Sequence, residues 1–390
     1  MFSRRTDWTL TPNRFTEAQR EVSGAGREVL DLTVSNPIRA GLRYDTEAIL
    51  NSLKNPQAMD YDPQPKGLHS AREAVAAYYR EQHSELFDPE SLLLTTSTSE
   101  GYSYVFRLLC NPDDELLVPK PSYPLFEFLA ELQDVKLVSY PLLYDHGWQM
   151  DFPSLSRAMT SRTRAVVVVH PNNPTGSYVG AAERTQLNAF CREHGLALIV
   201  DEVFLDYPHD GAPRSSFVLN PDVLTFTLSG LSKISGLPQM KLAWVATSGP
   251  APVVATAMDR LEVIADTYLS MNAPIQLAAT VLLEQRKNIQ PLLLDRLRVN
   301  LSELDAQLKG QRSTQRLQVD GGWYAVLRVP VTRTDEDLAI ALLRQASVLV
   351  HPGHFYDFPR DGYLIVSLLS PLTEFREGTR RMLDFLSRES

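Results

Sequence analysis

Short apolar runs recur through the middle of the chain, each closed by polar or turn-forming residues. They are Leu92–Thr95, Glu115–Val118, Lys136–Tyr140, Ala165–Val169, Leu196–Val200, Val223–Leu228 and Leu242–Ala246. Runs this short, rich in β-branched and aromatic residues, predict buried strands. Helical patterns separate most of them, for example Arg72–Tyr79, Glu100–Cys110, Leu125–Leu132 and Glu183–His194. Apolar strands without polar alternation, spaced by helices, predict an α/β fold: a mostly parallel sheet covered on both faces.

The pattern changes at either end. Residues 1 to about 45 read as an arm, with a polar helix near Arg14–Glu21, a Gly24-Ala25-Gly26 loop, the strand Leu30–Val34 and the turn Ser35-Asn36-Pro37. A long helical pattern covers Pro274–Leu308, and Pro291 is expected to kink or break it. The domain boundary is placed there, giving a large α/β domain over 46–284 and a smaller α+β domain over 285–390, joined by the arm. The smaller part predicts strands at Leu317–Val319, Trp323–Val329, Val348–Val350 and Tyr363–Leu368, and helices at Asp335–Gln345 and Thr373–Arg388. There is no internal repeat and no low-complexity tract.

Composition narrows the class. At 390 residues, 44% hydrophobic and 22% charged, the chain has the make-up of an ordinary soluble globular protein with room for two domains. A net charge of −9 argues against nucleic acid or an anionic membrane as the main partner. Cys110 and Cys191 suggest no disulfide framework. Met1–Pro12 has arginines but no apolar core like that of a secretory signal, and no window approaches the ~18 apolar residues of a membrane span. A cytoplasmic protein is expected.

Three polar motifs begin where apolar strands stop. Ala165–Val169 leads into His170-Pro171-Asn172-Asn173-Pro174-Thr175-Gly176, Leu196–Val200 into Asp201-Glu202, and Val223–Leu228 towards Lys233. In a parallel sheet these ends share one edge, where open α/β sheets bind ligands. A lysine partly desolvated there is a neutral nucleophile suited to Schiff-base chemistry. A carboxylate at a buried strand end, as at Asp201, needs a cationic or hydrogen-bonded partner. Ser97-Thr98-Ser99 stands between a strand and a helix, where N-cap hydroxyls and free N–H groups make a ready anion site.

The segment Ser229-Gly230-Leu231-Ser232-Lys233, with Gly236-Leu237-Pro238 and Trp244 after it, resembles the lysine motif of class I/II aminotransferases. These are fold-type-I transferases that use pyridoxal 5′-phosphate (PLP). Asn173-Pro174-Thr175-Gly176 matches a second motif of the family unchanged, and the likeness runs from about Leu32 to about Arg376. It implies a transaminase that moves an amino group between an amino acid or amine and a keto acid. By the resemblance, Lys233 holds PLP as a Schiff base and later carries the substrate proton. Asp201 then pairs with the pyridinium nitrogen and Asn173 with the phenolic oxygen. Ser97, Thr98, Ser99, Ser232 and Lys241 hold the phosphate, Tyr123 stacks on the ring, and Ser35 and Asn36 reach the substrate. Tyr61 matches a tyrosine that crosses a homodimer to the partner's phosphate, so that the active sites are shared.

Three positions depart from the family pattern. Phe204 replaces a tyrosine that donates to the phenolic oxygen, which implies that the internal aldimine keeps its proton to higher pH. Lys241 replaces an arginine, keeping the charge but losing the fork. Ile365 stands where an arginine grips the substrate carboxylate. Either Arg39 or Arg360 substitutes, or the substrate is not an ordinary α-amino acid. A PLP lyase on the same scaffold is the alternative function. A PLP-binding regulator has little room for a DNA-binding domain in the arm, and a nicotinamide oxidoreductase lacks its fingerprint, because Gly24-Ala25-Gly26 precedes a strand and Val29 holds the sixth position. The scattered histidines, His351 and His354 among them, show no metal-ligand spacing, and no metal is expected.

Overall fold

The computed structural model describes residues 1–124 and 126–389. Leu125, the expected first residue of one helix, and Ser390 lie outside the described residues. After a short strand, β1 (Leu30–Asp31), come β2 (Leu92–Thr95), β3 (Glu115–Lys120), β4 (Lys136–Tyr144), β5 (Trp148–Met150), β6 (Thr163–Val169), β7 (Ala197–Asp201), β8 (Thr225–Gly230) and β9 (Ala243–Ser248). Among the described residues β2–β9 form an eight-stranded sheet in the order β2-β9-β8-β7-β6-β3-β4-β5. The stretch from β8 to β4 is parallel, while β9 runs antiparallel to both β8 and β2, and β5 runs antiparallel to β4.

Alternate residues of these strands serve opposite faces. Val167, Ile199, Phe226 and Leu228 pack with Tyr102, Val105 and Phe106 of helix Thr98–Leu109 and with Leu261 of helix Ala251–Tyr268. Val166, Val168, Leu198 and Val200 meet Leu187, Phe190 and Cys191 of helix Ala181–His194. On the same side Leu92, Leu94 and Trp244 meet Val75, Tyr78 and Tyr79 of helix His69–His83. Both faces are thus covered, which is why the strands carry no polar alternation.

The later strands are β10 (Gln315–Arg316), β11 (Tyr324–Arg328), β12 (Val348–Leu349), β13 (His351–Pro352) and β14 (Tyr363–Ser367). Four of them make an antiparallel sheet, β10-β11-β14-β13, and β12 pairs in parallel with β1. The same core holds Phe15 and Val22 of helix Arg14–Gly24, Leu293 and Leu297 of helix Arg286–Leu308, and Phe375 and Met382 of helix Leu372–Glu389.

Several expected bounds are corrected. The strand expected over Leu30–Val34 ends at Asp31, whose Oδ1 accepts from Thr33 N and Thr33 Oγ1 at 2.8 and 2.6 Å and turns the chain aside. The strand expected at Leu317–Val319 lies earlier, at Gln315–Arg316, because Gln318 N donates to Tyr144 Oη at 3.0 Å instead of continuing the ladder. Pro291 sits inside helix Arg286–Leu308 and does not break it. The carbonyl it leaves without an N–H belongs to Lys287, an exposed residue open to water. The pattern is instead divided at Ala278 and Gln285.

Candidate active site

Register brings the singled-out residues together. Val169 pairs with Asp201, and Asp201 with Leu228, so the ends of β6, β7 and β8 lie side by side. Ala243 pairs with both Thr95 and Gly230. The Ser97 cap and the Lys233 turn therefore leave the sheet at the same level, with Lys241 two residues before their shared neighbour.

Lys233 belongs to a one-turn helix, Leu231–Ile234, that opens as β8 ends at Gly230. Its Nζ lies 4.8 Å from the Trp323 ring centroid and 5.3 Å from that of Phe204. Among the described residues the amine forms no ion pair. Burial pushes its pKa down to about 8, with the attraction of Asp201 offsetting part of the shift. Gly236 closes the turn at φ +60°, and any Cβ there would lie 2.6 Å from Tyr44 Oη. Only glycine suits both demands.

Asp201 ends β7 as an acid with no ion-pair partner among the described residues. Val203 N donates to its Oδ1 at 3.0 Å and Tyr102 Oη to its Oδ2 at 3.1 Å. Burial raises its pKa to about 6, against the pull of those two donors and of Lys233. Asn173 is buried, and its Oδ1 has no hydrogen-bond partner. A buried polar atom left this way costs about 1–3 kcal/mol unless something occupies it.

Helix Thr98–Leu109 opens at Ser97, whose side chain accepts from Glu100 N at 3.2 Å. The Glu100 carboxylate is held in turn by Thr96 N, at 2.7 Å, and by Ser270 Oγ, at 3.0 Å. The first N–H groups of the helix remain available, together with the hydroxyls of Thr98 and Ser99. Ser232 makes no hydrogen bond to the described residues. Lys241, exposed and at φ 53°, has no ion-pair partner among them.

Around this centre the expected residues divide. Tyr123 lies close enough to Asp201 for that charge to raise its pKa, after burial. Ser35 sits beside the Tyr324 hydroxyl. Asn36 spends its Oδ1 on its own turn, accepting from Ile38 N at 2.9 Å. Tyr61 is 85% exposed and makes no hydrogen bond to any described residue. It lines a surface hollow of about 550 Å³ with Leu94, Leu269 and Ser270. Ile365 is fully buried on β14, opposite Val326 and His351. Arg360 donates to Tyr363 Oη at 3.4 Å, whereas the exposed Arg39 side chain has no partner among the described residues. Sequence reasoning missed Tyr102 and Trp323. The first lies one helical turn past the Ser97–Ser99 cap; the second follows the paired glycines Gly321 and Gly322.

The donor set suits PLP. Among the described residues it offers a desolvated acid with no ion-pair partner and a buried amide oxygen with no hydrogen-bond partner. It adds a lysine against aromatic rings and a helix N-terminus with hydroxyls and a second lysine, neither lysine ion-paired among the described residues. These match a basic ring nitrogen, a ring hydroxyl, an aldehyde and a phosphate.

Comparison with known proteins agrees. Over 373 residues the chain is 27% identical to glutamate–pyruvate aminotransferase AlaA of Haemophilus influenzae, covering 93% of this chain and 91% of that one. It is 28% identical over 371 residues to an alanine aminotransferase of Mycobacterium tuberculosis, covering 93% and 86%. Among solved structures, alanine aminotransferase from Pyrococcus furiosus superposes with a TM-score of 0.90 at 22% identity, over 100% of both chains. A Thermus thermophilus aspartate aminotransferase double mutant gives 0.86 at 21%, over 99% and 100%. Residues 28–371 match the family described as aminotransferase class I and II. With that match over most of its length, the chain belongs to the class I and II aminotransferases, a PLP-dependent family.

Proposed function

We propose that this protein transfers an amino group between an amino acid or amine and a keto acid, with Lys233 as the amine that holds PLP and then moves the proton. The observation that carries the reading is the register placing Asn173, Asp201 and the Lys233 turn on one sheet edge. When bound, PLP supplies an aldehyde for amines and a ring that draws electrons from the carbon beside the nitrogen.

The chain's own residues do the rest. With its pKa lowered to about 8, Lys233 Nζ is about one-tenth neutral at pH 7, far more than an ordinary lysine, and can act as nucleophile and base. With its amine free, Lys233 Nζ would take a proton from the substrate carbon beside the nitrogen and would be the group that returns it. Asp201 holds positive charge on the ring nitrogen, and Tyr102 and Val203 fix the carboxylate that does so. Asn173 holds the ring oxygen. The N-terminus of helix Thr98–Leu109 holds the phosphate with Ser97, Thr98, Ser99, Ser232 and Lys241. Tyr123 and Phe204 bound the ring, while Ser35 and Asn36 lie towards the substrate.

We assign Tyr61 to a second copy's phosphate, in a homodimer with shared sites, which accounts for so exposed a tyrosine. The division into an arm (1–45), a large domain (46–284) and a small domain (285–390) goes with this reading. So does a cytoplasmic place of work. Among the described residues no helix is long and apolar enough to cross a membrane. The relatives named above make alanine, glutamate and pyruvate the first substrates to try. With Ile365 buried where the family pattern has arginine, amines without a carboxylate belong in the same screen.

Borohydride reduction followed by peptide mapping is the test. The pyridoxyl label is expected on Lys233 alone; a label elsewhere, or none at saturating PLP, refutes the assignment. In a single turnover, transamination leaves the aminated vitamer, whereas a lyase returns the aldehyde form.

A further inference from the structure

We propose that Tyr207 and Gln290 are positioning residues for the catalytic lysine, acting through the carbonyls of the turn that carries it. The proposal rests on the reading of Lys233 given above. Tyr207 Oη donates to Lys233 O at 2.5 Å, and Gln290 Nε2 donates to Ile234 O at 2.9 Å. The turn has few bonds of its own: Ser235 N and Leu237 N reach Leu231 O at 3.2 and 3.0 Å, and Gly236 N reaches Lys233 O at 3.2 Å. A helix of four residues does not hold itself in water. Its orientation is therefore set from outside, and with it the direction in which the lysine side chain leaves.

Both holders are themselves fixed. The Tyr207 ring is fully buried and meets Trp323 edge-on at 5.3 Å, the same indole that faces Lys233 Nζ. Gln290 commits its other amide hydrogen to Asp206 Oδ2 at 2.7 Å. Asp206 is buried beneath the site, where its Oδ1 takes Tyr78 Oη at 3.0 Å and His83 Nε2 at 3.1 Å. An amide with both hydrogens committed, anchored to a buried acid, has one orientation. A chain of side chains from helix His69–His83 through helix Arg286–Leu308 thus ends on the lysine turn. Neither Tyr207 nor Gln290 touches the amine. Their effect is on where Nζ stands, and a misplacement of about 1 Å at a reacting group can cost about 100-fold.

Tyr207→Phe and Gln290→Met in the purified holoenzyme test this. Each is expected to lower kcat about 10-fold or more with KM for both substrates within about twofold. Each is also expected to shift the pH midpoint of the cofactor's absorbance change by about half a unit or more. In the apoenzyme, peptides covering 229–237 should exchange amide hydrogen faster. Unchanged kcat and midpoint overturn the proposal even if the melting temperature falls, since that is what mere scaffolding does; a KM rising in step with the loss of kcat overturns it too. Borohydride labelling of the parent is run beside them, so that a label away from Lys233 condemns the lysine assignment separately. If Gln290→Met does not fold, Tyr207→Phe, which removes a single oxygen, decides.

Discussion

Tyr102 donates its hydroxyl to Asp201 Oδ2 across 3.1 Å, from a helix whose first turn is the proposed phosphate site. On the proposed reading, one helix would serve both ends of the cofactor. The hydrogen bond favours the ionised acid, against the burial that raises its pKa to about 6. In Tyr102→Phe the acid should hold its proton to higher pH. The acid limb of the pH–rate profile is expected to move upward and kcat/KM near pH 7 to fall about 10-fold. An acid limb left in place counts against the pairing.

The lysine gives a prediction for the apoenzyme. Its folded pKa of about 8 lies below the 10.5 of the ordinary amine. Between those values the unfolded chain binds more protons than the folded one, so stability should rise as pH increases from about 8 to about 10. Thermal melts across that range should show the rise from this group, and Lys233→Met should lose it. The same variant should be more stable than the parent below pH 8.

Asn173 carries a buried oxygen with no partner. In the apoenzyme Asn173→Leu should melt at or above the parental temperature, because an unsatisfied polar group is removed. Activity should nevertheless fall about 10-fold or more. A variant both less stable and fully active would show that the amide serves the fold and not the cofactor.

Phe204 places an apolar ring 5.3 Å from Lys233 Nζ. Phe204→Tyr would return a donor to the ring oxygen and favour its ionised form. The pH midpoint of the cofactor's absorbance change is expected to fall. A midpoint that rises or stays put removes this account of the substitution.

Most of the sheet could be read from the chain because its strands are buried on both faces, leaving unbroken runs such as Ala165–Val169. The convergence of Asn173, Asp201 and Lys233 followed from the same runs, since each motif starts where a run stops. The antiparallel course of β9 was not legible, because a strand apolar on both faces reads alike in either direction. Nor was the role of Tyr102 or Trp323: their sequence signal is that of ordinary core aromatics, and only the tertiary packing turns one towards Asp201 and the other towards the lysine. Pro291 misled for a local reason, its unpaired carbonyl belonging to a residue at the solvent face.

The pairing of β1 with β12 sets an order on biosynthesis. Arg27 bonds Ser347 across 320 positions of chain, whereas Tyr44 reaches Gly236 across 192. A ribosome must deliver Val348 before Leu30 gains its neighbour, so the segment that buttresses the lysine turn from the amino-terminal side stays half-anchored through most of translation. The β1–β12 contact can thus close only late in synthesis, long after Tyr44 and Gly236 have both been made.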